Sequence, residues 1–316
     1  MKKEKPIYIT GHKKPDTDTI CSPIAYADYL NKKNPSSDGK KVIPCRLGKI
    51  NSETRFVLNY FKVKIPKLLN SAKGKRIILL DHNEKTQTLD DIEKAEIIEI
   101  IDHHKINFEY EKPIFFHTEP IGSTASLIAK RYFNDKKAKL SKKIAGILLS
   151  AILSDTVVFR SPTTTKEDKE IAKKLAKIAG IKDIESFGIE IKKAKASLKG
   201  MKAKDIIFSD SKQYKFGNIK LGVGQVEVCG LEEVNARKKE IQKELENSAK
   251  KENYDLLVLM ATDIIKMGSL LLFWEKENYI EKAFNKKPKD NTIYLKGVIS
   301  RKKQIIPPLT KLFSKK

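Results

Sequence analysis

Ile97-Ile98-Glu99-Ile100-Ile101-Asp102-His103-His104 is the stretch that decides the fold. A β-branched apolar run ends abruptly in one carboxylate and two imidazoles. Such a run predicts a strand buried on both faces of a parallel sheet. Open α/β sheets bind their ligands at the carboxyl ends of their strands. Three adjacent metal-competent side chains at such an end therefore call for partners elsewhere in the chain.

Working outward, other segments share the design. Ile7-Tyr8-Ile9-Thr10 runs into Gly11-His12, residues 42–47 read as a strand, and Ile77-Ile78-Leu79-Leu80 runs into Asp81-His82-Asn83-Glu84. Residues 114–117 form a further candidate strand. Helical patterns alternate with these. Ser22-Pro23, a capping residue with proline in the first turn, predicts a helix start; that helix carries Ile24, Ala25, Ala27 and Leu30 and ends at Asn34-Pro35. Ser52 opens a helix with Phe56, Leu58, Tyr60 and Phe61, and a short one lies near 90–94. Helices follow at 123–133, at 142–153 running into Ser154-Asp155-Thr156, and at 165–179. The alternation predicts an α/β fold, an open and mainly parallel sheet covered by helices.

Gly180, Gly188 and the lysine-rich segment 192–204 break this pattern. We therefore expect a first domain at 1–188, a linker at 189–200 and a smaller second domain at 201–316. The second part reads as α+β with a mixed sheet. Strands are expected at 206–209, 213–216, 219–228, 256–260, 269–273 and 294–299, with one long charged helix at 231–251.

The chain has 316 residues, 40% hydrophobic and 33% charged, as in a soluble globular protein. No apolar run reaches membrane-spanning length. The basic N-terminus leads straight into a strand, so no signal peptide is expected. Cys21, Cys45 and Cys229 lie far apart without metal-ligand spacing, which suits reduced thiols in a cytoplasmic protein. The net charge of +24 raises the question of nucleic acid. Up to residue 188 there are 36 basic against 24 acidic residues, and beyond it 28 against 16, so the excess is not gathered into an arm. Aromatics do not interleave with the lysines as a base-stacking platform requires. Two readings remain: solvated lysines on exposed faces, or a field that steers a small polyanion.

Four places in the first domain combine an apolar element with metal-competent side chains after it. They are His12, Asp16 and Asp18 in Gly11-His12-Lys13-Lys14-Pro15-Asp16-Thr17-Asp18; Asp81-His82-Asn83-Glu84; Asp102-His103-His104; and Ser154-Asp155-Thr156. Singly, each has an ordinary structural reading, such as turn formation, helix capping or strand-end hydrogen bonding. Asp155 fits that reading worst, because a carboxylate is poorly placed at a helix C-terminus. Jointly they point to metal. The chain has only five histidines, and four of them lie in these places. Carboxylates with few imidazoles and no thiolates suit Mn²⁺, Co²⁺ or Mg²⁺ better than a structural zinc. Clustered carboxylates stay ionised together only when cations neutralise them. Two metals would do so and would also generate a nucleophile from water. Near the C-terminus, Ser300-Arg301-Lys302-Lys303-Gln304 offers a rigid guanidinium fork and a mobile point charge for phosphate oxygens, with Lys212 as a third cation between two short strands.

These motifs, in this order and spacing, resemble the family II (manganese-dependent) inorganic pyrophosphatases of the DHH phosphoesterase superfamily. Asp102-His103-His104 alone marks the superfamily; Asp81-His82-Asn83-Glu84 and Arg301-Lys302-Lys303-Gln304 point to the pyrophosphatases. The resemblance implies an N-terminal DHH domain, a DHHA2-type C-terminal domain and an active site in the cleft between them. It implies His12, Asp16, Asp81 and Asp155 as ligands of one metal, and Asp18, Asp81, His103 and Asp155 as ligands of the second. His104 would contact substrate and assist the leaving group, with Asp102 orienting it, while Lys212, Arg301 and Lys302 would bind phosphate. His82 lies in its motif without a ligand role. The implied cofactors are two Mn²⁺ per subunit, replaceable by Co²⁺, with Mg²⁺ accompanying the substrate. The implied reaction is hydrolysis of pyrophosphate to two phosphates by a metal-bridging hydroxide. The implied assembly is a homodimer, with neither nucleic acid nor membrane as partner. The chain lacks the long nucleotide-binding insert of some members, so no adenine-nucleotide control is expected. The alternative is another DHH phosphoesterase, a polyphosphatase or a short-oligonucleotide nuclease. The nucleases usually carry a glycine-rich, histidine-containing motif in a different C-terminal domain, and Gly222-x-Gly224 is too slight to qualify.

Overall fold

The apolar run at 97–101 lies in the fifth strand of an all-parallel sheet. The computed structural model describes residues 5–33, 42–135 and 137–314. The chain divides into two units, Met1–Lys195 and Ala196–Lys316. In chain order the first unit contains β1 (Ile7–Thr10), α1 (Thr17–Lys33), β2 (Val42–Arg46), α2 (Ser52–Tyr60), β3 (Lys67–Leu68) and β4 (Arg76–Leu80). It continues with β5 (Glu96–Asp102), β6 (Phe115–Thr118), α3 (Thr124–Asn134), α4 (Lys142–Asp155), α5 (Lys166–Ala179) and α6 (Ile184–Ala196). The sheet order is β3-β2-β1-β4-β5-β6, every neighbouring pair parallel. Strand order reverses between β1 and β4, so the carboxyl ends of those two strands open the crevice where such sheets place ligands.

The α-helices cover one face of this sheet, where Ile9, Ile78 and Ile101 pack against residues such as Ile20, Leu148 and Ile152. Loops and single 3₁₀ turns cover the other face, packing Leu69, Ala72, Leu89 and Ile92 against Ile77, Leu79, Ile97 and Ile100. Pairing of β4 with β5 skips one residue, since Ile77 faces Ile97 and Ile78 faces Glu99. The extra residue of this bulge puts Ile98 and Glu99 both on the helical side. There Glu99 accepts from Tyr26 Oη at 2.8 Å and lies 3.3 Å from the Arg131 guanidinium. A carboxylate inside an apolar run is thereby satisfied without breaking the strand.

The second unit contains α7 (Ala203–Phe208), β7 (Ser211–Phe216), β8 (Ile219–Val228), α8 (Glu232–Ala236) and α9 (Lys238–Lys251). It ends with β9 (Leu256–Asp263), β10 (Gly268–Glu275), α10 (Tyr279–Phe284), β11 (Thr292–Lys296) and α11 (Ile306–Phe313). Its sheet order is β11-β10-β9-β8-β7, with β8 and β9 parallel and the other pairs antiparallel. The sheet is therefore mixed. Central strand β9 is buried throughout. It splits its side chains between two cores: Leu257, Leu259 and Ala261 on one face, Leu256, Val258 and Met260 on the other.

Several sequence expectations need correction. The first helix starts at Thr17, not at Ser22-Pro23, because the Asp16 side chain caps it by accepting from Thr19 N at 2.9 Å; Pro23 lies inside the helix. The expected end at Asn34-Pro35 lies outside the described residues. Residues 206–209 are not a strand: α7 covers 203–208, and its Ile207 carbonyl lies where a Cβ on Gly224 would be, 1.8 Å away. Gly224 thus serves close helix–strand packing. The long helix expected at 231–251 is two helices that break at Arg237. The strand expected at 294–299 spans Thr292–Lys296, and Lys212 lies within β7, not between strands. The segment 189–200 is helical as far as Ala196, and α6 carries the buried Phe187 and Ile191 that hold it to the first unit's core.

Candidate metal centre

Asp81 stands at the middle of the first unit's polar residues. It follows β4 directly and adopts a left-handed backbone, φ 65°. A non-glycine residue there is strained by about 1–3 kcal/mol and needs surrounding contacts to hold it. Those contacts are present. Asp81 N donates to the Ile101 carbonyl at 3.0 Å, Thr19 Oγ1 donates to Oδ2 at 2.6 Å, and Thr124 Oγ1 donates to Oδ1 at 3.0 Å. The left-handed turn aims the carboxylate across the sheet edge toward the residues after β1 and β5.

Three groups of donors meet at Asp81, one of which joins it to His103 and His104. Asp18, Asp81, His103 and Asp155 offer ligand atoms that all lie within 4.8 Å of one another, and so do His12, Asp16 and Asp81. His103 Nε2 is 3.4 Å from Asp81 Oδ1 and 3.6 Å from Asp155 Oδ2. His12 Nε2 is 3.5 Å from Asp16 Oδ2 and 3.8 Å from Asp81 Oδ2. All six residues named from the sequence therefore converge. Asp155 joins the Asp18 group and not the His12 group.

The local chemistry suits a divalent cation. His103 Nδ1 is 2.9 Å from the Ile121 carbonyl, which assigns the proton to Nδ1 and leaves the Nε2 lone pair facing the carboxylates. That buried Nε2 has no hydrogen-bond partner. Burial raises the Asp18 carboxyl, and the Asp81 charge adds to it, to about 7. Burial also raises Asp155 well above the carboxylate range, with Asp18, Asp16 and Asp81 adding to the rise. Burial pulls His103 down, but the nearby charges of Asp81 and Asp18 outweigh it and raise the ring to about 9. Burial also lowers His12, but Asp16 foremost, with Asp81 and Asp18, raises it. These shifts arise from carboxylates crowded at one buried place, a charge arrangement that a divalent cation would relieve. Asp18 accepts from Ser22 Oγ and Ala125 N on Oδ1 and from Ser123 Oγ and Thr124 N on Oδ2, at 2.6–3.0 Å. The two backbone donors belong to the N-terminal turn of α3, where negative charge is favoured. The two hydroxyls can rotate away and free a lone pair on each oxygen for a metal.

Asp102 and His104 form a distinct pair. Asp102 is fully buried and accepts from His103 N, His104 N and Asn83 Nδ2, and its Oδ1 is 2.9 Å from His104 Nδ1. That hydrogen bond raises the His104 pKa, with burial opposing it. Burial would raise Asp102, but its bonds to His104 and Asn83 hold it low. The His104 ring keeps an exposed edge, its side chain 55% accessible. His82 is buried with Nδ1 2.9 Å from the Leu80 carbonyl, and burial lowers its pKa.

In the second unit, Lys212, Tyr214, Gln225, Ser300, Arg301 and Lys302 line a cavity of about 480 Å³. Arg301 is nearly buried; it donates to the Asp210 carbonyl and, at 3.0 Å, to Asp210 Oδ1. Gln304 fixes the preceding loop, its Oε1 accepting from Ile299 N and Ser300 N and its Nε2 donating to the Gly297 carbonyl.

Comparison with known proteins supplies the family. The DHH family N-terminal domain matches residues 6–152, and the DHHA2 domain matches residues 189–312. A manganese-dependent inorganic pyrophosphatase from Methanocaldococcus jannaschii is 49% identical over 97% of this chain and 99% of its own length. The chain belongs to the manganese-dependent inorganic pyrophosphatase family. Another family member, from Bacillus subtilis, is 43% identical over 96% of this chain and 97% of its own. A Methanococcus jannaschii crystal structure assigned to family II inorganic pyrophosphatase aligns at 49% identity, covering 98% of this chain and 99% of that one, with TM-score 0.63. An exopolyphosphatase-related protein from Bacteroides fragilis shares the fold alone, at 18% identity and TM-score 0.52 over 98% of this chain and 93% of its own.

Some residues that shape this family member's site were not singled out from the sequence. Thr19 and Thr124 hold Asp81, and Asn83 holds Asp102. Glu53 accepts from Thr17 and Ser154, each next to a candidate ligand. Asn83 lay inside a recognised motif. Glu53 gave no signal beyond its place near the start of a helix, where an acidic residue is ordinary.

Proposed function

We propose that the chain hydrolyses inorganic pyrophosphate to two phosphates at a pair of Mn²⁺ ions held by His12, Asp16, Asp18, Asp81, His103 and Asp155, with Co²⁺ as a possible substitute. The observation that carries this reading is the convergence of Asp18, Asp81, His103 and Asp155, from four separate segments, with ligand atoms all within 4.8 Å of one another. The relatives supply the substrate. Bound manganese supplies Lewis acidity and lowers the pKa of water, so that a nucleophile exists at neutral pH.

The protein's own residues do the rest. Asp81, which belongs to both donor groups, would serve both ions, and Asp155 would hold the ion bound by Asp18, Asp81 and His103. The oxygen of water would form a new bond to one phosphorus as that phosphorus loses its bond to the bridging oxygen, and the other phosphate would leave with that oxygen. His104, protonated, donates to the leaving oxygen from its exposed edge. Asp102 orients the ring and stabilises its charge. Lys212, Arg301 and Lys302, together with Mg²⁺ carried by the substrate, neutralise the phosphate oxygens as charge builds.

Phosphate release by the purified protein with Mn²⁺ and Mg²⁺ tests the reading, comparing pyrophosphate, tripolyphosphate and a dinucleotide. Robust release from pyrophosphate is expected; none from it, with release from either of the others, sinks the assignment. A homodimer is part of the same proposal, and light scattering that returns the mass of one chain would contradict it. Cytoplasmic residence is part of it too, supported by the buried free thiols of Cys21 and Cys45. No helix among the described residues is long and apolar enough to cross a membrane.

A further inference from the structure

The chain has 64 lysines and arginines, yet among the described residues only Arg301 and Lys192 are buried. Arg301 lines the cationic cavity of the second unit. Lys192 lies on α6 and has no place in the proposed chemistry. Its Nζ is 3.2 Å from Glu53 Oε2 and 3.2 Å from Ser154 Oγ. Glu53 is itself buried, and its Oε1 accepts from Thr17 Oγ1 at 2.7 Å and from Ser154 Oγ.

The two hydroxyls joined by this carboxylate are significant for their neighbours. Thr17 lies between Asp16 and Asp18, and Ser154 directly precedes Asp155. One buried carboxylate thus ties the start of α1 to the end of α4, and with them three of the six candidate metal ligands. A buried carboxylate stays ionised only with a counter-charge and satisfied lone pairs, and Lys192 provides the counter-charge. The arrangement also explains a cost. Placing another carboxylate near Asp16, Asp18 and Asp155 adds like charge where it is already crowded, which simple packing does not require.

We propose that Glu53 is a positioning residue for the metal centre, holding the Asp16–Asp18 segment and Asp155 in register through Thr17 and Ser154, with Lys192 as its buried counter-ion. This rests on the metal-binding reading above. Partners that orient metal ligands typically contribute about 10–100-fold to metal affinity.

The test compares two double variants that remove the same charges. Glu53→Gln/Lys192→Met keeps an oxygen that can accept from both hydroxyls; Glu53→Leu/Lys192→Met does not. Mn²⁺ affinity is read from loss of the free aqueous Mn²⁺ resonance signal, and thermal unfolding checks the fold. We expect the Gln/Met variant within about threefold of wild type, and the Leu/Met variant weaker by about tenfold or more. Ser154→Ala removes one arm of the tether without a charge change, and it carries the test if the Leu/Met variant fails to fold; about threefold weakening is expected. Equal affinities for the two double variants overturn the proposal, whether both match wild type or both fall together, since the latter assigns the effect to charge. Failure of the wild type to bind Mn²⁺ instead overturns the metal-binding reading, and this inference with it.

Discussion

Arg301→Lys separates charge from geometry in the cationic cavity. Lysine keeps the positive charge but loses the planar fork that engages phosphate oxygens in two directions. The structural cost is modest. The Arg301–Asp210 pair has one well-exposed partner, Asp210 being 64% accessible, so its contribution to stability is at most about 1 kcal/mol. Arg301 Nη1 also donates to the carbonyls of Asp210 and Val223. Losing one of those bonds adds about 1 kcal/mol. A loss of about 2 kcal/mol leaves most domains folded, since their stability is about 5–15 kcal/mol. The chemical cost is larger. Removing one preorganised donor from developing anionic charge typically costs about 10²–10³ in kcat. Initial-rate phosphate release should therefore fall by about 10²–10³ in Arg301→Lys, while urea unfolding shows the small stability loss. A kcat within about threefold of wild type would refute the reasoning, because a point charge would then do all that the fork does. So would a loss of activity that tracks the unfolded fraction.

Other outcomes follow from the same geometry. Asp155→Asn removes a carboxylate of the Asp18–Asp81–His103–Asp155 group and should abolish both tight Mn²⁺ binding, measured by titration calorimetry, and turnover; retained activity would mark Asp155 as a helix terminus only. Asp102 raises the His104 pKa through their 2.9 Å bond. The proton donor is the charged ring, so activity is lost as pH rises through that pKa. Asp102→Asn lowers the pKa, and the alkaline limb of the kcat profile should move to lower pH; an unmoved limb counts against His104 as the acid. A Cβ at Gly146 would lie 2.1 Å from the Phe61 ring. Gly146→Ala should therefore destabilise by about 1–3 kcal/mol in urea unfolding, and Phe61→Leu should recover much of that loss.

The sequence by itself marked the candidate ligands and the family. Scarce histidines and carboxylates after apolar runs marked His12, Asp81, His103 and Asp155, because a strand's side-chain period and its abrupt polar end are local properties of the chain. Local pattern also identified the parallel sheet of the first unit. It failed at two places. Asp16 caps α1 six residues before Ser22, the expected capping residue, and Gly224 admits the α7 backbone where a strand was expected. Tertiary structure alone decided the bulge that turns Glu99 toward Tyr26 and Arg131, the left-handed Asp81 backbone, and the Glu53–Lys192 pair. Each depends on groups brought together from far apart in the chain, 139 positions in the case of Glu53 and Lys192, and no window of sequence contains both halves of such a contact. The ordinary-looking residues that hydrogen-bond to the candidate ligands and their chain neighbours are therefore invisible until the chain has folded around them.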